Sequence, residues 1–367
     1  MPPRPTSRMP NKRMLLRAAS RRVCNRRGAV QGVALLFGVF LLLGHLPAAA
    51  QTQINMLRIG TGGQSGTYFP IGSLIAGAVS DMPIGRGCNS SDAQNGRCGV
   101  PGLVAVAQTS NGSVANAAGL QNGEIEMALV QADVADWAFN GREIFAGKGR
   151  HDRLRFVAHL YSEAMHVVVR REARITAIGD LRSRSVAMDE PGSGTLVHVR
   201  NLLGAYRLSE ADLHPAYIKP DLALPRLLTG RLDAFFIVAG WPTKAVGEAL
   251  AGGEASLVGV EAEAANRLVR QNPFLSYGQI PAGTYPGQSA AVGSLMVGAQ
   301  LIARADLTDD RVQAVLEALW SQRGQAMLIA GHPRGADIRF ADALTGRSLP
   351  LHSGAERFYR ARGSLAN

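Results

Sequence analysis

The stretch Leu57-Arg58-Ile59-Gly60-Thr61-Gly62-Gly63-Gln64-Ser65-Gly66-Thr67-Tyr68-Phe69-Pro70 decides the reading of this chain. A short apolar run enters a turn of Gly, Ser and Thr and then opens an amphipathic segment, which is the order of a strand, a turn and a helix. At such a place the unbonded N–H groups of the first helical turn meet the positive end of the helix dipole. The turn therefore suits a carboxylate or phosphate without any charged side chain. Three comparable turns follow: Thr109-Ser110-Asn111-Gly112-Ser113, Val130-Gln131-Ala132-Asp133 and Pro191-Gly192-Ser193-Gly194-Thr195. Each alone also reads as helix capping, since Ser, Thr, Asn and Asp are the preferred caps. Four in one chain point to a shared site at the carboxyl ends of the strands of an α/β sheet.

Outward from these turns, short apolar runs alternate with longer amphipathic stretches, and no repeat recurs. Strands are expected over Leu57–Gly60, Leu103–Gln108, Met127–Gln131, Leu154–Leu160, His166–Arg170, Ser185–Met188, Ala234–Val238 and Leu295–Ala303. Helices are expected after Gly66, over Ser113–Asn122, after Asp133, over Thr195–Tyr206 and over Asp309–Ala330, the last with Thr308 as N-cap. The apolar stretches 156–170 and 294–303 bracket a middle segment, which predicts two α/β lobes joined by two crossings, with a cleft between them. Residues 51–160 and 282–367 form the first lobe in this reading, and residues 161–281 the second.

With 367 residues, 46% hydrophobic and 18% charged, the chain is long and apolar enough for a full core. A net charge of +11 would suggest nucleic acid or a membrane surface as partner, but nine of those charges are Lys or Arg within residues 1–50, leaving +2 for the rest. No nucleic-acid partner is expected. The basic region leads into the apolar run Val33–Leu46 and then Pro47-Ala48-Ala49-Ala50, the order of a secretory signal cleaved after Ala50. A membrane anchor is the alternative, although the run falls short of the roughly 20 residues that span a bilayer. Ser20-Arg21-Arg22 matches a twin-arginine signal only in part, and Met9 and Met14 are alternative starts. Cys88 and Cys98 are the thiols left after cleavage, and an even pair in an exported protein reads as a disulfide.

Enzyme chemistry finds little footing. There is no G-x-S-x-G, H-E-x-x-H or phosphate-loop pattern, and His159, His166, His198, His214, His332 and His352 are scattered as structural histidines are. Gly60, Gly62 and Gly66 give G-x-G-x-x-x-G, which is not the dinucleotide fingerprint. No cofactor and no metal site is expected. Asp133 reads as a helix cap or as a partner for a ligand amine, and Tyr68, Trp137, Trp241 and Tyr285 as pocket walls or core.

The ordered set Gly60-Thr61-Gly62-Gly63-x-x-Gly66-Thr67-Tyr68, Gly112-Ser113-Val114-Ala115-Asn116, Val130-Gln131-Ala132-Asp133-Val134-Ala135, Pro191-Gly192-Ser193-Gly194-Thr195, Leu232-Asp233-Ala234-Phe235-Phe236 with Gly240-Trp241-Pro242, Ile280-Pro281-Ala282-Gly283-Thr284-Tyr285 and Leu351-His352-Ser353-Gly354-Ala355-Glu356-Arg357-Phe358-Tyr359 resembles the TAXI class of solute receptors of tripartite ATP-independent periplasmic (TRAP) transporters. The resemblance runs from about Leu57 to Gly363. It implies a type II periplasmic-binding-protein fold, a periplasmic location, a membrane permease as partner, and a ligand such as glutamate, glutamine or 2-oxoglutarate. It also implies a cleft of Thr61, Gly62, Gly63, Ser65, Thr67 and Tyr68, then Ser110, Asn111, Gly112 and Ser113, then Gln131 and Asp133, then Ser193, Gly194 and Thr195, and finally Trp241 and Pro242. Two departures stand out: Ala132 replaces the usual Ser of the V-Q-S-D-V piece, and Ser353 replaces a Pro. Delivery to a sensor kinase, or a periplasmic enzyme on the same fold, are the alternative functions.

Overall fold

Apolar, β-branched runs bounded by glycine turns become the strands of one mixed sheet, and the amphipathic stretches between them become the helices that cover its faces. The computed structural model describes residues 55–80 and 99–365. The expected signal segment and the Cys88–Cys98 pair lie outside the described residues. The first part of the chain forms β1 (Asn55–Gly60), α1 (Tyr68–Val79), β2 (Leu103–Gln108), α2 (Ser113–Asn122), β3 (Met127–Gln131), α3 (Ala132–Asn140) and the long β4 (Leu154–Arg170). Then come β5 (Ser185–Ala187), α4 (Gly194–Ala205), β6 (His214–Ala216), α5 (Pro220–Leu228), β7 (Ala234–Ala239), α6 (Lys244–Ala251), β8 (Ala255–Val258), α7 (Ala262–Gln271) and β9 (Leu275–Ile280). The long β10 (Val292–Arg304), α8 (Asp309–Leu319), α9 (Gln322–Gly331) and α10 (Ser353–Ala361) complete it.

The strand order is β2-β1-β3-β10-β4-β7-β5-β6, with β8 added on β4 and β9 on β10. Strands β1, β2 and β3 are parallel to one another, as are β5, β6 and β7, whereas β10 runs antiparallel to both β3 and β4. Parallel strands need helical crossovers, and these place helix starts at the carboxyl ends of the strands. The expected α/β class is therefore the one observed, in the form of a mixed sheet. Leu57, Ile59, Ile71, Ile75, Val312, Leu316, Phe358 and Tyr359 pack together at one end of the sheet, while Val167, Val186, Leu202, Phe236 and Leu268 belong to a separate cluster at the other.

Two expectations are corrected. The runs Leu154–Leu160 and His166–Arg170 are one strand, because Tyr161, Ser162, Glu163 and Ala164 stay paired with Ala299, Gly298, Val297 and Met296 across the polar interruption. The helix expected over Asp309–Ala330 is two. Ser321 accepts a hydrogen bond from Gly324 N at 3.0 Å and starts a new helix, and Gly324 lies so close to the Ala318 carbonyl that a Cβ there would come within 2.2 Å of its oxygen. Thr308 does stand at the N-cap of α8, but its side chain makes no capping bond. Among the described residues, no helix is long and apolar enough to cross a membrane.

Phe156 is fully buried on β4, its backbone N–H bonded to Pro350 O at 2.9 Å. Truncating it leaves a cavity that neither the strand nor the tail segment can fill. Phe156→Ala is expected to lower stability by about 3–5 kcal/mol; a urea unfolding curve displaced by less than about 1 kcal/mol would show that this packing is not what joins the C-terminal tail to the sheet.

Candidate ligand-binding site

The starts of helices α1 to α5 meet around one partly open cavity of about 60 Å³. Gly62, Gly63, Ser65, Gly66, Thr67 and Tyr68 line it from the turn before α1. Asn111, Gly112 and Ser113 line it from the turn before α2, Gln131 from the end of β3, and Ser193, Gly194 and Thr195 from the turn before α4. Lys219 and Pro220, at the start of α5, complete the rim.

Capping does not account for these turns. Only Ser193 caps through its side chain, accepting Leu196 N–H at 3.0 Å. Thr67, Gly112 and Gln131 stand at N-cap positions with no side-chain capping bond. Their neighbours' polar groups are spent on holding one turn against another. The Thr67 hydroxyl donates to Gly240 O at 2.8 Å, and Ser113 Oγ accepts Gln131 N–H at 3.1 Å. Ser110 Oγ donates to Thr61 O and accepts from Gly112 N, both at 2.9 Å. Gly112 has a φ of +113° and lies against the Ser193 backbone, where a side chain would be both strained and in contact. Two first-turn N–H groups do have partners, Ala115 N with Gly192 O at 2.9 Å in α2 and Val134 N with Asp133 Oδ1 at 2.8 Å in α3, so it is chiefly the start of α1 that is left for something other than its own cap.

Two carboxyl groups line the cavity that the sequence reading did not single out. Glu163, on β4, is 2% exposed and accepts the Tyr68 hydroxyl at 3.0 Å. Burial pushes its carboxyl up to about 8, and the nearby Asp133 adds to the rise. Tyr68 is likewise held well above the usual phenol range, by burial first and by Glu163 second, so it remains a donor. Asp189 is pushed up to about 6 by burial, against the lowering effect of hydrogen bonds from Glu190 N and Thr195. It adopts a φ of +69°, a left-handed backbone uncommon outside glycine and often found at working sites. Lys219, the one Lys or Arg in the lining, faces Glu190 at 3.5 Å.

Five expected residues do not line the cavity. Thr61 is fully buried and donates to Gln108 O at 2.8 Å, and Ser110 ties that strand end to the next turn; both position the wall without forming it. Asp133 is fully buried elsewhere: it accepts its neighbour Val134 N–H at 2.8 Å and Asn272 Nδ2 at 3.0 Å, with His198 Nε2 at 3.5 Å. Its bond to Val134 N–H satisfies a first-turn donor of α3, as the capping reading expects, and it does not line the cavity. Trp241 lies under the Arg334 guanidinium at 4.3 Å, and Pro242 follows it through a cis peptide bond. Of the other aromatic residues, Trp137 is core, and the Tyr285 hydroxyl meets His166 Nε2 at 2.8 Å and accepts Thr243 N–H at 3.1 Å. Burial pushes His166 down to about 4, while His332 and His352 accept backbone N–H groups two residues on. Among the described residues, no cluster could hold a metal ion.

Several bonds close the cavity. Besides Thr67 with Gly240, Thr243 Oγ1 donates to Ser65 O at 2.8 Å, Asn111 Nδ2 to Pro191 O at 3.0 Å, and Ala115 N to Gly192 O at 2.9 Å. Thr67→Val keeps the shape and leaves the Gly240 carbonyl without its donor. A loss of about 1–2 kcal/mol in the ligand-free protein is expected; an unchanged urea midpoint would mean that this contact does not hold the cavity shut.

Several solved structures are similar in fold. MatC from Rhodopseudomonas palustris with bound malate is 14% identical over 85% of this chain and 98% of its own, with a TM-score of 0.49. PhnD1 from Prochlorococcus marinus in complex with methylphosphonate is 9% identical over 85% and 99%, with a TM-score of 0.48. The periplasmic aliphatic sulphonate binding protein SsuA from Escherichia coli is 17% identical over 85% and 94%, with a TM-score of 0.41. These likenesses are too distant to say anything of a ligand. The NMT1-like family pattern, in contrast, matches residues 59–363, nearly all of the described chain, and the protein belongs to the NMT1-like family.

Proposed function

We propose that the protein is an exported solute-binding receptor that encloses a small carboxylate-bearing solute and hands it to a membrane permease of the TRAP type. The observation that carries this reading is the convergence of helix starts, those of α1 and α2 without a side-chain capping bond, on one partly open cavity. Such an arrangement suits an anionic group through backbone N–H groups and helix dipoles. The resemblance of the turn motifs to TAXI receptors supports the permease partner, and the basic and apolar N-terminal segment supports a periplasmic location.

Residues 51–160 with 282–367 act as one lobe and residues 161–281 as the other. The pairs Thr67–Gly240, Thr243–Ser65, Asn111–Pro191 and Asp133–Asn272 then bridge the lobes in the closed form. Ligand shifts the population toward that form, and the permease reads it. Within the glutamate, glutamine and 2-oxoglutarate class, Glu163 and Asp189 favour a ligand that also carries an ammonium group. Two carboxyls in the wall give that group partners when ionised, whereas a second ligand carboxylate finds a partner in Glu163 only while Glu163 keeps its proton.

A thermal-shift panel of glutamate, glutamine, 2-oxoglutarate, malate, methylphosphonate and an uncharged sugar tests the class. A cognate ligand at 100 times its Kd stabilises by about 2.7 kcal/mol. Selective response to an amino acid is expected, and response to the sugar alone would overturn the reading.

The pH dependence tests the ammonium partner. An ammonium ligand favours ionised Glu163, so affinity is expected to rise from pH 6 toward 8, by at most about tenfold per unit, and to level off above. A ligand without an amine needs the protonated carboxyl and gives the opposite slope. Glu163→Gln is expected to flatten the profile and weaken amino-acid binding at pH 8 by about tenfold or more; titrations of both proteins across this range would decide.

A further inference from the structure

A second cavity, of about 370 Å³, lies between the middle of β4, the turn at Trp241 and the segment Pro333–Asp337, and it shares no lining residue with the first. Its size falls in the range of small-molecule pockets, several times what one water fills. Tyr161 is 1% exposed in its wall, and its hydroxyl has no hydrogen-bond partner. Arg334 Nε and His159 Nδ1, in the same wall, are also buried and unbonded. Buried polar atoms rarely stay unmatched, so their concentration here marks a place shaped for an occupant.

The chemistry of that occupant follows from which groups are unmatched. Burial and the nearby Glu163 hold the Tyr161 hydroxyl well above its usual range, so it is a donor lacking an acceptor. Arg334 pairs with Asp337 through its outer nitrogen and lies over Trp241, which fixes the guanidinium plane and leaves Nε–H as a second donor. Arg339 is likewise held by Asp342, with a nitrogen to oxygen distance of 2.5 Å. Asp342 is committed to the Arg339 guanidinium edge, and Asp337 Oδ2 lies against Arg334 but makes no hydrogen bond, so Tyr161 Oη and Arg334 Nε–H stand as donors beside one acceptor already spent on an ion pair. We propose that this cavity is a second binding site, taking a small carboxylate or other oxyanion that accepts from Tyr161 Oη and Arg334 Nε.

The site is mechanically linked to the first. A Cβ on Gly240 would stand 2.8 Å from Arg334 Cγ and 2.9 Å from Tyr161 Cε2, so this backbone has no slack between them. The carbonyl of the same residue accepts the Thr67 hydroxyl at the first cavity. An anion that moves Tyr161 or Arg334 therefore moves a contact that closes the first cavity, and any such coupling acts both ways.

Isothermal titration of the full chain with acetate, succinate and inorganic phosphate tests this in the wild type and in Tyr68→Ala, Arg334→Gln and Tyr161→Phe. The expected result is one class of sites that survives Tyr68→Ala, weakens about tenfold or more in Arg334→Gln, and weakens measurably in Tyr161→Phe. The last variant removes one hydroxyl and keeps the ring, so it decides the matter if Arg334→Gln fails to fold. The anion that fills these sites separates a carboxylate from a phosphate ligand. No class of sites surviving Tyr68→Ala, or binding unchanged in Tyr161→Phe, overturns the proposal.

Discussion

The antiparallel pairing of β4 with β10, from Ala164 opposite Met296 to Leu154 opposite Arg304, is the constraint on which the rest depends. These two long strands run through the middle of the sheet and carry parallel strands on both flanks. Each flank buries its own apolar cluster, so each end of the sheet is stabilised independently while the two remain joined by continuous strand. A helix crossover returns each parallel strand to the same edge, which brings helix starts from both ends to one place.

That same pairing sets the electrostatics of the cavity. Glu163 stays in register opposite Val297 and is thereby held inside the protein, where burial disfavours its charge. Tyr161, two residues earlier, stands between the field of Glu163 and that of Arg334. One stretch of strand thus serves both cavities. A polar Ser162-Glu163 pair in the middle of an apolar strand is unfavourable for folding alone, and such local conflict is where a working site is expected.

The closing contacts explain why several conspicuous residues do not face the cavity. Thr61, Ser110 and Asp133 carry the right chemistry, but each is consumed in fixing one turn against another or one helix against a neighbour. Trp241 is taken up by Arg334. A cavity lined by several helix-start turns needs such supports, since a helix start binds an anion well only when it cannot move away.

The sequence by itself determined the α/β class, the order of the longer strands and of the helices that follow the four turns, and the turns themselves, but not the short β6, β8 and β9 or helices α5, α6, α7 and α10. Strand length, apolar period and turn chemistry are local, and Leu103–Gln108, Met127–Gln131 and Ser113–Asn122 appear as expected. Composition could not show that the polar break at Tyr161–Ala164 remains strand, because the partners that keep it so lie more than a hundred residues away. It could not rank Glu163 and Asp189 above other acids, since their raised proton affinity comes from burial by distant elements. Nor could it separate Ser113, which faces the cavity, from Asp133, which does not. Chemistry is written in the residue, but direction and solvent access are set only when the chain is packed.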